Sequence, residues 1–260
     1  MITFNSIRVF ILATMFAFIS SCAQTHYNPI TPVLEQENLE AVMNSVVILQ
    51  TESDGLCTGV FVAPQRILTA AHCVAHYETV IFMGFVLQVP SDEDPTGSEI
   101  DVITRDWYLE DPTLEEVVPT PYRVSRYSAD ADLALLECDS RECLMSENVV
   151  SMSHPVSRIG EVAVAIGHPA GLYYTVTTGI FSRDIETESG VNYIYASSNI
   201  WFGNSGGPLL DRQGRLVGVA SSMASTGGIP AGHLGRFVYI TTIREFLNGR
   251  TNFSDDSSEE

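Results

Sequence analysis

Gly203-Asn204-Ser205-Gly206-Gly207-Pro208-Leu209-Leu210 sets a serine among glycines and then runs directly into an apolar strand. A serine hydroxyl is a poor nucleophile at neutral pH. It needs a base to take its proton, a carboxylate to orient that base, and backbone N–H donors for the developing oxyanion. The glycines let the chain curl so that the amides of Gly203 and Ser205 face one point. The strand that begins at Gly207 anchors the turn on something rigid. A Gly-x-Ser-x-Gly turn also serves α/β-hydrolases, so the base and the acid must be found elsewhere in the chain.

Thr69-Ala70-Ala71-His72-Cys73 supplies the base. Small residues before a histidine at a strand end let the imidazole sit in a cleft. Asp132-Leu133-Ala134-Leu135-Leu136 supplies the acid. A carboxylate that opens an apolar strand is half-buried, which is costly unless it is paired, and a histidine Nδ1–H is a good partner. Asp130 is the alternative; Asp132 is preferred because the apolar run begins directly after it. His72, Asp132 and Ser205 are therefore the expected catalytic residues, with Gly203 and Ser205 as the oxyanion donors. The hydrolase alternative needs Ser205 first, then an acid, then His233, on alternating strands and helices that the chain lacks.

From Val46 onward the sequence consists of short β-rich runs broken by Gly, Pro, Asn and Asp. Candidate strands are Val46–Thr51, Leu56–Val62, Arg66–Thr69, Val80–Val86, Leu133–Glu137, Val162–Ile166, Tyr174–Arg183, Tyr193–Ser197, Gly207–Leu210, Leu216–Ser221 and Phe237–Ile240. Such a series predicts an all-β sandwich or pair of barrels. A short helix is expected within Val33–Asn44 and a closing amphipathic helix at Thr241–Asn248. Pro90 to Pro121 is rich in acids, Pro and Thr, and reads as a long surface excursion.

The 260 residues are 45% hydrophobic with a formal charge of −19, which excludes a disordered chain and argues against nucleic acid as a partner. The start of the chain reads as an export address: Arg8, then the apolar run Val9 to Ile19, too short to span a bilayer. It ends in Ile19-Ser20-Ser21-Cys22. The five cysteines are Cys22, Cys57, Cys73, Cys138 and Cys143, and setting Cys22 aside leaves an even four in an oxidising compartment. Four cysteines allow three connectivities, and Cys57–Cys73 with Cys138–Cys143 is the local one. A zinc site at Cys57, His72, Cys73 and His76 is disfavoured, because adjacent residues ligate jointly only with difficulty and exported cysteines are usually oxidised.

In the order His, Asp, Ser, these motifs resemble the chymotrypsin-like serine peptidases. Ala165-Ile166-Gly167-His168-Pro169-Ala170-Gly171-Leu172 and Thr175-Val176-Thr177-Thr178-Gly179-Ile180-Phe181-Ser182 resemble the second barrel of the Deg/HtrA envelope proteases. So do Gly203 to Leu210 and Gly214-Arg215-Leu216-Val217-Gly218-Val219, whereas the Ala-Ala-His-Cys box is closer to the trypsin-like branch. The resemblance runs from Val46 to Asn248. It implies an all-β fold of two six-stranded antiparallel barrels with a short C-terminal helix, and a serine endopeptidase that needs no metal or cofactor. Two departures stand out. The residues after Asn248 leave no room for a PDZ domain, so peptide sensing of the Deg kind is not expected. Asn204 stands where an Asp would pair with a newly cut N-terminus, so competence without such a cut is expected.

The implied organisation is a signal peptide at 1–21, a tether with a short helix at 22–45, the peptidase domain at 46–248, and an acidic disordered tail at 249–260. Ile19 to Cys22 resembles a bacterial lipobox, which implies lipid attachment at Cys22. Ala23 resembles the outer-membrane sorting pattern; a secreted or periplasmic soluble form is the alternative. The expected partners are protein or peptide substrates and, through the lipid, a membrane. The resemblance places Asn199, Ala220, Ser221, His233 and Arg236 around the substrate pocket. Without an acid at Asn199, preference for Lys or Arg is not implied, and a small or medium apolar side chain is expected instead.

Overall fold

The computed structural model describes residues 34, 36–51, 55–82, 85–115, 117–139, 143, 146–154, 159–226 and 229–253. The signal peptide, Cys22 and the acidic residues from 254 on lie outside the described residues. The first helix, α1 (Gln36–Ser45), leads into β1 (Val46–Gln50), β2 (Leu56–Ala63) and β3 (Arg66–Thr69). A hairpin follows, β4 (Tyr77–Phe82) with β5 (Phe85–Pro90), then β6 (Glu99–Thr104), α2 (Arg105–Glu110), β7 (Thr120–Ser128) and β8 (Leu133–Glu137). The second half holds β9 (Val162–Gly167), β10 (Thr175–Glu186), β11 (Asn192–Ala196), β12 (Pro208–Leu210), β13 (Leu216–Thr226), β14 (Ile229–Tyr239) and α3 (Ile240–Leu247). Two closed antiparallel barrels result, in the orders β1-β2-β3-β8-β7-β6 and β10-β11-β14-β13-β12-β9. Six strands in each barrel agree with the expected fold.

Side chains alternate across a strand, so each strand of the first barrel has an inward and an outward set. In β1, Val47 and Leu49 enter the interior of that barrel beside Phe61, Ile67, Tyr122 and Leu136. Val46 and Ile48 belong instead to the cluster that fills the second barrel and the space between the two. β8 divides in the same way, with Ala134 and Leu136 inward and Leu133 and Leu135 outward. Both strands read as unbroken apolar runs because neither face meets water. The larger cluster ends on α3, whose Ile240, Ile243 and Phe246 lie at helical spacing on its buried face. Arg126 of β7 donates from Nη1 to the carbonyls of Phe246 and Leu247 at 2.7 and 2.8 Å, the first of which also accepts the Gly249 amide at 3.0 Å. The last helix is thereby tied to the first barrel.

Three expectations need correction. Pro90 to Pro121 is not a bare excursion: it contains β6, which pairs with β1 and β7, and then α2. In β6 the buried Ile100, Val102 and Ile103 are masked in the composition by the exposed Glu99 and Asp101. β7 was also overlooked, since Pro121 and two arginines interrupt a strand that buries Tyr122 and Val124. Finally, Val80–Val86 is not one strand. It is shared between β4 and β5, which pair from Tyr77↔Pro90 to Phe82↔Phe85, and an apolar run broken by Gly84 alone has no period to mark that reversal.

Candidate active site

β3 ends at Thr69, and a single 3₁₀ turn, Ala71–Cys73, presents His72 at the junction of the barrels. Two links hold that turn. Cys73 is bonded to Cys57 of β2, and Thr69 Oγ1 donates to the Thr58 carbonyl at 2.8 Å. Tyr77 adds a third, its hydroxyl donating to the His72 carbonyl at 3.0 Å. Cys138 and Cys143 form the second disulfide, at the end of β8 and away from the cleft.

Asp132 enters β8 from a left-handed backbone conformation, φ 51°. The turn aims its carboxylate at His72 and away from the strand. Nδ1 of His72 donates to Oδ1 at 2.9 Å and reaches Oδ2 at 3.1 Å, and the His72 amide donates to Oδ1 at 3.1 Å. From the second barrel, Ser221 Oγ donates to Oδ2 at 2.6 Å. A carboxylate held by these donors fixes the imidazole with its proton on Nδ1 and leaves Nε2 free to accept. Asp130 turns elsewhere and takes the Phe253 amide at 3.3 Å. Burial disfavours the charged form of His72, but the hydrogen bond and the charge of Asp132 together outweigh it, and the pKa rises above 6.5.

Ser205 lies at the tip of a turn clamped by β2. The Thr58 amide donates to the Ser205 carbonyl at 2.8 Å, and Thr58 Oγ1 donates to the Gly203 carbonyl at 2.6 Å. Gly203 and Gly206 have φ of 98° and 83°. A Cβ on Gly203 would overlap the His168 carbonyl oxygen, and one on Gly206 would overlap Thr69 Oγ1 and the Thr58 carbonyl oxygen. Both glycines are thus required by backbone conformation and by space.

The peptide between Phe202 and Gly203 is oriented by one hydrogen bond. The Ala170 amide donates to the Phe202 carbonyl at 2.7 Å, and Ala170 is not among the residues that line the cleft. In a trans peptide the N–H points opposite the C=O, so Gly203 N–H is directed at the cleft. Among the described residues, neither the Gly203 nor the Ser205 amide has a hydrogen-bond acceptor, and both residues line one cavity of about 590 Å³ with His72. No hydrogen bond joins Ser205 Oγ to His72 Nε2 among the described residues, although both residues line the cavity.

The rest of the cavity wall is largely apolar: Leu56, Ile200, Trp201, Phe202, Ala220 and Met223, with the hydroxyls of Ser221 and Ser222. Ala220 and Ser221 are among the residues that line this cavity. Asn199, His233 and Arg236 do not line the cavity. Asn199 is exposed, and its carbonyl accepts from Thr177 Oγ1 at 2.8 Å. His233 is exposed on β14, while Arg236 stacks 4.6 Å from the Tyr193 ring centroid. Sequence reasoning overlooked Trp201 and Phe202, 53% and 73% exposed and packed edge to face at the cavity mouth. Their signal was present: two large aromatics placed in a turn immediately before Gly203. Cys57, His72 and Cys73 bring three potential metal ligands together, but both sulfurs are consumed by the disulfide.

Residues 57–219 match the trypsin-like peptidase domain family. Among curated proteins, the chain is 40% identical over 92 residues to Protease Do-like 8, chloroplastic, of Arabidopsis thaliana, which is 33% of this chain and 20% of that protein. It is 35% identical over 102 residues to the periplasmic pH-dependent serine endoprotease DegQ of Escherichia coli, 38% of this chain and 22% of that protein. The stretches matched span between 15% and 29% of the relatives' own lengths. Among solved structures, the HtrA-type protease AlgW with tripeptide superposes with a TM-score of 0.60 at 24% identity. That superposition covers 81% of this chain and 61% of the other, and it shows a shared fold.

Proposed function

This chain belongs to the trypsin-like peptidase family, and from that premise we infer that it is a serine endopeptidase working through His72, Asp132 and Ser205. The observation that carries the reading is the Asp132–His72 pair beside two acceptor-free amides, Gly203 and Ser205, on the cavity that Ser205 lines. His72 Nε2 takes the proton of Ser205 Oγ as that oxygen attacks a substrate carbonyl. Asp132 keeps Nδ1 protonated and stabilises the imidazolium as it forms. The carbonyl oxygen, now negative, is received by the two amides, whose donors are already aimed before the charge appears. His72 then protonates the leaving amine, and water resolves the acyl-enzyme by the same steps in reverse.

The wall formed by Ile200, Ala220 and Met223 offers no carboxylate to a Lys or Arg side chain. The substrate residue it suits is apolar. The names of several curated relatives include the word periplasmic, which agrees with export. We place the protein in a bacterial envelope with a lipid on Cys22, and mass analysis of the mature N-terminus from cells would test that part.

A fluorophosphonate probe, which is attacked only by an activated serine, tests the nucleophile. Peptide mapping after labelling is expected to find the adduct on Ser205 alone, and none after His72→Ala. Labelling elsewhere, or labelling that survives loss of His72, would remove the basis of the assignment.

A further inference from the structure

His168 is 0% exposed and uses both ring nitrogens. Nε2 donates to the Val47 carbonyl of β1 at 3.1 Å, and Nδ1 accepts the Tyr174 amide at 3.0 Å. With the Tyr174 amide aimed at Nδ1, the ring is neutral and carries its proton on Nε2. Burial agrees with this, since it disfavours the charged form. The rings of Tyr174 and Tyr173 close over it at centroid distances of 4.8 and 5.8 Å.

The location of this ring matters more than its burial. Val47 sits one strand away from Gly59, in the barrel that carries His72 and Asp132. His168 opens the turn Pro169–Gly171 between β9 and β10, in the barrel that carries Ser205. From this turn the Ala170 amide holds the Phe202 carbonyl, and the His168 carbonyl oxygen lies against the α-carbon of Gly203. Ala170 and Tyr174 have φ of 51° and 55°, conformations that persist only when their surroundings impose them. The imidazole supplies such a constraint at both ends of the turn, through Val47 on one side and Tyr174 on the other.

We propose that His168 is a positioning residue for the oxyanion site: by tying the first barrel to the Pro169–Gly171 turn, it keeps the Phe202–Gly203 peptide with its N–H in the cleft. The proposal rests on the serine-peptidase reading above. One hydrogen bond, from Ala170, separates the competent peptide from a flipped one that would put the Phe202 carbonyl where the oxyanion belongs. Freed of its link to Val47, the turn moves, that bond weakens, and the flipped state gains population. Substrate binding along the cavity wall is untouched by this change. Only the stabilisation of the tetrahedral species is lost, and that is the part of binding that sets rate.

The test compares wild type with His168→Phe, which fills the space without either hydrogen bond, and His168→Asn, which keeps an acceptor toward Tyr174 but falls short of Val47. Each is measured for kcat and KM on an apolar peptide amide. Each is also titrated with the corresponding peptide aldehyde, which forms a tetrahedral adduct, and with the non-covalent product acid. Loss of an oxyanion donor costs on the order of 10²–10³ in kcat, and a fall within an order of magnitude of that range is expected, with KM nearly constant. Aldehyde affinity should fall in parallel, while product affinity holds. An unchanged kcat, or losses shared equally by KM, aldehyde and product, would overturn the assignment. If His168→Phe does not fold, His168→Asn decides alone by the same criteria. Wild type run first separates the two readings, because a wild type that cleaves nothing defeats the peptidase proposal and not this one specifically.

Discussion

Acid should expose the buried imidazole of His168 as a stability device that can be measured without any substrate. Burial lowers its pKa from 6.5 to about 4, against a smaller opposing contribution from the Val47 carbonyl. The ring is faced by Tyr173 and Tyr174, with Arg105 stacked 5.9 Å from the Tyr174 ring beyond, and no carboxylate is among its described partners. Above pH 6.5 the group is neutral folded or unfolded, and its contribution is complete. Below 6.5 the unfolded chain takes up a proton that the folded chain refuses until about pH 4, so stability is lost across that window. At about 1.4 kcal/mol per pH unit, the whole displacement amounts to roughly 3 kcal/mol, of which about 2.5 is lost by pH 4.5. The assay is urea unfolding of wild type and His168→Asn at pH 7 and pH 4.5. The variant removes this proton uptake while sharing the other titrating groups, so those cancel in the double difference. Wild type should lose about 2 to 3 kcal/mol more than the variant on acidification. Equal losses in the two proteins would refute the reasoning, since they would mean that the imidazole is protonated as readily folded as unfolded.

Activity should fall on the acid side with a midpoint above 6.5, because burial of His72 is outweighed by Asp132 and only neutral His72 can act as base. Asp132→Asn should move that midpoint down while kcat drops, and a midpoint that stays in place would show that another group titrates. For stability the sign is opposite to that of His168: the raised pKa of His72 contributes below 6.5, and the contribution is lost as pH rises through the folded value. Replacing Cys57 and Cys73 together by serine opens a bridge with a sequence separation of 16 beside His72. The expected cost is about 3 kcal/mol in urea unfolding, accompanied by a lower kcat; no change in either would show that the turn is held without it. Gly206→Ala places a Cβ on Thr69 Oγ1 and the Thr58 carbonyl at a φ of 83°. Destabilisation of at least about 2 kcal/mol is expected in thermal unfolding, with labelling of Ser205 abolished.

Several elements of this fold were legible because their neighbours leave one option. β1 and β8 announce themselves as unbroken apolar runs, since one face fills a barrel and the other fills the space between barrels. The meeting of Asp132, not Asp130, with His72 followed from the start of the β8 run, although the left-handed turn that aims the carboxylate is not written in any residue preference. β6 and β7 were illegible for the converse reason. Each has one face in water, and the Glu, Asp, Arg and Pro on that face outweigh the buried alternates in a reading by composition. The pocket failed differently. Asn199, His233 and Arg236 were placed by analogy of position, yet none lines the cavity, and Arg236 stacks on Tyr193. His168 lies in the Ala165–Leu172 motif, whose sequence carries no sign of its role. Its two hydrogen bonds, to partners 121 and 6 residues away, exist only once the barrels are closed.

The most direct test of the central claim is cleavage of unfolded casein by the protein starting after Cys22, set beside the same protein with Ser205→Ala, with fragments followed by mass spectrometry. The account predicts fragments ending predominantly after apolar residues from the first, and none from the second, although it remains folded by circular dichroism. Cleavage that persists in Ser205→Ala, or a folded wild type that leaves casein intact, would contradict it.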